Sequence, residues 1–81
     1  MATDSIRYTV PGSLAHDVKA FYEKELPPLG WVKTWSQDLE TSKSSQWRKD
    51  GVEGVLRIDA YNDTIERETI VVFDLMESPV K

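Results

Sequence analysis

The stretch SIRYTVPGSLAHDVKAFYEKELPPLGW, residues 5–31, decides the fold class. Ile6, Tyr8 and Val10 alternate with Ser5, Arg7 and Thr9, the period of a strand with one apolar face. Pro11-Gly12 ends that strand, because proline cannot donate to a ladder and glycine permits a sharp turn. Ser13 is placed as a helix N-cap, its hydroxyl offered to an orphan backbone N–H, and Asp17 puts negative charge near the positive end of the helix dipole. Leu14, Val18, Phe21, Tyr22 and Leu26 then recur at helical spacing, which predicts one apolar stripe with Phe21 and Leu26 in the core. Pro27-Pro28 stops the helix by removing donors and by pushing Leu26 away from helical angles. Gly30 frees the turn into a second strand.

Beyond residue 31 the pattern is strand after strand. Residues 31–37 put Trp31, Lys33 and Trp35 on one face and Val32 and Thr34 on the other. Residues 38–44 are polar and aperiodic and read as a flexible loop. Residues 45–49, around Trp47, form a third strand, closed by the turn signal Asp50-Gly51. Residues 54–61 place Leu56, Ile58 and Ala60 on one face and Val55, Arg57, Asp59 and Tyr61 on the other. After a turn at Asn62-Asp63-Thr64, residues 68–75 set Ile70 and Val72 against Val71, Phe73 and Leu75. Short connections between strands make antiparallel neighbours. The expectation is an α+β fold: a two-layer sandwich in β-α-β-β-β-β order, with one helix on a mostly antiparallel sheet. The chain has 81 residues, so it forms one domain, 1–81, with an ordered core of about 5–76 and frayed residues around Pro79.

Charge and composition restrict the partners. The chain holds 10 Lys plus Arg and 14 Asp plus Glu, a net charge of −4. Residues 1–40 carry four basic and six acidic groups and residues 41–81 carry six and eight, so each half is −2. No basic segment is present to track a phosphate backbone, and no nucleic-acid partner is expected. The longest apolar run, Ile70-Val71-Val72-Phe73, is far too short for a membrane span. Met1-Ala2-Thr3-Asp4-Ser5 does not read as a signal peptide. With no cysteine, disulfides, thiolate zinc sites and a cysteine nucleophile are excluded.

The opening half resembles small α+β domains of uncharacterised bacterial secreted proteins and lipoproteins. Tyr8-Thr9-Val10-Pro11-Gly12-Ser13, Val18, Phe21-Tyr22, Glu25-Leu26-Pro27 and Gly30-Trp31 carry the likeness, and Trp47-Arg48-Lys49-Asp50-Gly51 resembles the family's hairpin. It spans most of residues 8–61 and implies an extracytoplasmic origin, with no activity to carry over. A topological likeness to the vicinal-oxygen-chelate half-module rests on Phe21-Tyr22 before Leu29-Gly30. That family's metal chemistry needs His and Glu at strand ends, whereas the only histidine here, His16, lies at the helix start.

Few residues offer chemistry. A catalytic base needs an orienting partner, and Asp17, next to His16, points about 100° away on a helix. Asp59, Asp63, Glu66 and Glu68 lack the spacing of a calcium loop, so no metal and no cofactor are expected. Gly51 and Gly54 precede no phosphate-binding helix, and Ser42 to Ser45 have no base nearby in sequence. The aromatics stand out. If Leu56, Ile58, Ile70 and Val72 face the helix, then Tyr61, Val71 and Phe73 face away, with Trp35 and Trp47 able to join them. The competing reading is that the sheet curls and buries these side chains. The expected function is a non-enzymatic interaction or ligand-binding module whose site is Trp35, Trp47, Tyr61, Val71 and Phe73. Its partner would be a protein or small ligand, or a second copy making a homodimer through the same face; a small enzyme is the remaining alternative.

Overall fold

The computed structural model describes residues 4–76, and the expected fraying near Pro79 lies outside them. The elements are β1 (Asp4–Pro11), α1 (Ala15–Glu25), a 3₁₀ turn (Pro27–Leu29), β2 (Trp31–Asp38), β3 (Ser42–Lys49), β4 (Val55–Asp63) and β5 (Glu68–Met76). They build one five-stranded sheet in the order β1-β5-β4-β3-β2, every neighbour antiparallel. The α+β architecture expected from the sequence is the one present. β2 to β5 form a meander of short connections, and β1 closes the far edge against β5. The chain therefore leaves one edge at β1 and re-enters at the opposite edge as β2, with α1 lying over β3, β4 and β5 on the way.

The core sits between α1 and those three strands. Ala15, Leu26, Trp47, Ile58, Ala60 and Val71 are its buried cluster, with Tyr8, Tyr22 and Phe73 among the half-buried residues against it. Trp47 is 1% exposed, and its indole N–H donates to Ser45 Oγ at 2.8 Å, so the ring is buried without an orphan donor. Small side chains at Ala15 and Ala60 let helix and sheet approach closely.

Several details differ from the sequence reading. The helix is rolled by about one residue. Ala15, Lys19, Tyr22 and Leu26 point at the sheet, while Phe21 is 54% exposed and Leu14 is exposed too. The cause lies in the start of α1. Leu14, not Ser13, takes the N-cap position, with no side-chain cap of its own. Its N–H donates to Thr69 Oγ1 at 2.6 Å, and the Ala15 N–H donates to Asn62 Oδ1 at 3.0 Å. Thr69 is fully buried, and its hydroxyl donates in turn to the Gly12 carbonyl at 2.7 Å. Two strands thus cap the helix, and that anchor sets its rotation.

Leu26 keeps helical angles (φ −78°, ψ −41°) despite the proline that follows, its N–H still bonded to the Tyr22 carbonyl at 3.0 Å. The helix stops because Pro27 and Pro28 have no N–H to continue the ladder. Gly30 then adopts φ +98°, where a Cβ would press on the Lys49 side chain at 3.3 Å. The segment read as a loop is shorter than expected: Ser42–Ser44 belong to β3, and only residues 39–41 separate it from β2.

Candidate interaction surface

Register fixes which side chains share a face. In β2 the pairing shifts between Lys33 and Trp35, a bulge at Thr34. Trp31 and Lys33 lie on the helix side; past the bulge Trp35 falls on the opposite side, and Ser36 and Asp38 return to the helix side. The expectation that Trp31, Lys33 and Trp35 share one face is overturned by that one extra residue. In β5 the alternation is as read, but the covered parity is the other one. Tyr8↔Val71 and Val71↔Ala60 are opposed pairs, as are Ile58↔Phe73, so Val71 and Phe73 lie under the helix while Ile70 and Val72 face away.

The expected aromatic site is thus divided. Trp47, at 1% exposure, and Val71, at 0%, are core. Phe73 packs edge-to-face on Tyr22 with ring centres 5.0 Å apart. Trp35 and Tyr61 alone lie on the face away from α1. That face is polar around Trp35. The Arg57 guanidinium sits over the Trp35 ring at 5.2 Å, and its Nε donates to both carboxylate oxygens of Asp59, at 3.0 and 3.2 Å. Ser44 Oγ donates to the same Asp59 at 2.6 Å.

Exposed apolar side chains gather instead on the helix side, along β1, whereas Leu29, Val32, Leu39 and Ile65 are exposed elsewhere. A single helix about 10 Å wide cannot roof five strands spaced about 4.8 Å apart. β1 is left bare, and Ile6, Tyr8 and Val10 stand beside the outward stripe of α1. Tyr8, Val10, Leu14, Val18, Phe21 and Tyr22 line a hollow of about 220 Å³, with Asp17 the one charged residue among its walls. A second hollow of about 310 Å³ continues toward the end of the sheet between Ile6, Leu56, Phe73 and Leu75. Between them the Tyr8 and Tyr22 hydroxyls share a hydrogen bond of 2.8 Å. Burial, then that bond, pushes the Tyr22 phenol well above its ordinary range, so it stays protonated. Sequence reasoning missed Ile6, Leu14 and Phe21 as surface residues. The signal was the width of the sheet relative to one helix.

The other flank of α1 is polar. Lys19, 8% exposed, buries its stem and gives its ammonium to Ser36 and Asp38, with Glu23 at 3.8 Å. Glu23 also accepts from Lys33 at 2.7 Å. His16 lines the same cleft of about 260 Å³. The hydrogen bond from Lys19 holds the Asp38 carboxyl below its ordinary range. The cleft's charges are spent on one another. Among the described residues no group of three or more His, Cys, Asp or Glu is placed to hold a metal ion, and no helix is long and apolar enough to cross a membrane.

No family model, curated protein or solved structure matches this chain. The surface chemistry is the ground for a functional reading.

Proposed function

We propose that this chain is a non-enzymatic interaction module that docks a partner protein along β1. One observation carries the reading: α1 covers the middle of the sheet and leaves the apolar row of an edge strand open beside its own Leu14 and Phe21. An unpaired edge supplies main-chain donors and acceptors to an extended segment, and flanking hollows accept alternate side chains. Ile6, at 66% exposed, and Phe21, at 54%, are large side chains whose exposure gains nothing for the isolated domain. The non-enzymatic character is supported by the polar flank, where Lys19 is held by Ser36 and Asp38.

Selection of a random peptide library on the immobilised domain tests the reading. The expected result is enrichment of extended segments with apolar residues at alternate positions. Binding should be lost in Leu14→Ser/Phe21→Ser and kept in Trp35→Ala. Peptides that ignore the first variant and depend on Trp35 would move the site to the opposite face and overturn the reading. So would failure of a chain that sediments as a monomer to enrich any peptide.

A further inference from the structure

Resting on that reading, we infer that the occupant of the β1 edge is a second copy of this chain, paired antiparallel through β1 about a two-fold axis centred on Ile6. The two edges of the sheet are not equivalent as pairing surfaces. β2 carries a bulge at Thr34 and a lysine, Lys33, two devices that discourage strand addition. β1 runs from Asp4 to Pro11 in unbroken register with β5. Its outer edge has no bulge and no lysine; its proline, Pro11, stands at the strand's end, and its cation, Arg7, lies on the face away from α1. An antiparallel pair of identical strands is self-complementary, so a single edge suffices for a closed dimer.

Charge selects the register. Opposed residues share a face, so the axis must pass through a residue rather than between two. Centred on Arg7, the pairing sets arginine against arginine. Centred on Tyr8, it sets Arg7 against Thr9. Centred on Ile6, it sets the second copy's Arg7 opposite Ser5, whose neighbour on β5 is Asp74. Neither Arg7, which is exposed, nor Asp74, which is half-buried, has a side-chain hydrogen bond or ion pair among the described residues; Arg57, opposite Asp74 on β4, gives its Nε to Asp59 instead. Two strand spacings, about 10 Å between backbones, separate these positions, a gap that an arginine and an aspartate side chain close together. The same register stacks Ile6, the most exposed apolar residue of β1, on its own copy. It also sets the second copy's Tyr8 opposite Asp4, whose neighbour on β5 is Leu75, beside the hollow that Leu75 and Leu56 line with Ile6. The product is one continuous ten-stranded sheet with both helices on the same side.

Sedimentation of the full chain over a range of concentrations, with circular dichroism as the folding control, tests the inference. The mass should double with concentration in the wild type. Doubling should be lost in Arg7→Glu and in Asp74→Arg, and restored in the variant carrying both changes. Because the chain has no cysteine, Ile6→Cys gives a second readout. Residues opposed on the axis lie about 4.5–5.5 Å apart at Cα, within disulfide reach, so oxidation should yield covalent dimer well beyond that of the exposed control Leu39→Cys. A chain that stays monomeric and does not cross-link at Ile6 overturns the second copy. If it still binds selected peptides through Phe21, the docking reading stands without it. A dimer that survives either charge reversal, with no preferential cross-link at Ile6, overturns this register. A dimer lost in Trp35→Ala alone overturns both readings.

Discussion

The two flanks of α1 face the two edges of the same sheet with opposite chemistry. Toward β2, where the helix backbone does not reach, Lys19 and Glu23 extend polar side chains to Ser36, Asp38 and Lys33 and close the gap with ion pairs. Toward β1 only Tyr22 reaches across, to Tyr8, and Leu14, Val18 and Phe21 leave an apolar trough. A domain of this size has one helix to spend on a five-stranded sheet. One edge is closed by charge and blunted by a bulge. The other is left apolar, in register and open, and the proposed docking along β1 rests on that asymmetry.

The comparison can be broken most severely at the floor that both flanks share. Trp47→Ala removes a buried ring from beneath the helix and should cost about 3–5 kcal/mol. The whole stability of a small domain is about 5 kcal/mol, so the variant should lack a cooperative melt. Lys19→Ala strips the β2 flank of its buried stem and its charge-assisted hydrogen bonds, and should cost about 2–3 kcal/mol by denaturant unfolding. Phe21→Ala, on the β1 flank, should cost less than about 1 kcal/mol because the ring is more than half exposed. If the order of these last two were reversed, the helix would be rolled the other way.

The smallest effects separate the flanks by pH. The Asp38 carboxyl titrates below its ordinary value of 3.8, held there by the hydrogen bond from Lys19. Its contribution is intact above that value and is lost as pH falls through the lower folded one. Asp38→Asn should therefore flatten the acid limb of the stability profile. Tyr22 is shifted the other way, raised by burial and by the bond to Tyr8. Its contribution is intact below the ordinary value of 10.0 and is lost as pH rises beyond it. Tyr22→Phe should flatten the alkaline limb and leave the acid limb unchanged.

Element types were legible residue by residue. The alternation of Ile6, Tyr8 and Val10, the stop at Pro27-Pro28, and the parity of Leu56, Ile58 and Ala60 all follow from local periodicity and punctuation. Of the surface along β1, only its ingredients were legible. Trp35 cannot be placed without the bulge at Thr34, because strand parity assumes an unbroken ladder. Val71 and Phe73 cannot be chosen over Ile70 and Val72, because both rows of β5 are apolar.

Local sequence set the strands, the helix and their order, since those depend on neighbours a few residues apart. Tertiary structure alone decided which row of β5 is covered, how far α1 is rolled, and which edge stays open. Those choices turn on contacts between residues far apart in the chain. Leu14 and Ala15 are capped by Thr69 and Asn62, and Lys19 finds Ser36 and Asp38 only once the bulge has turned them toward it. The apolar flank along β1 is what remains when that anchor has set the helix.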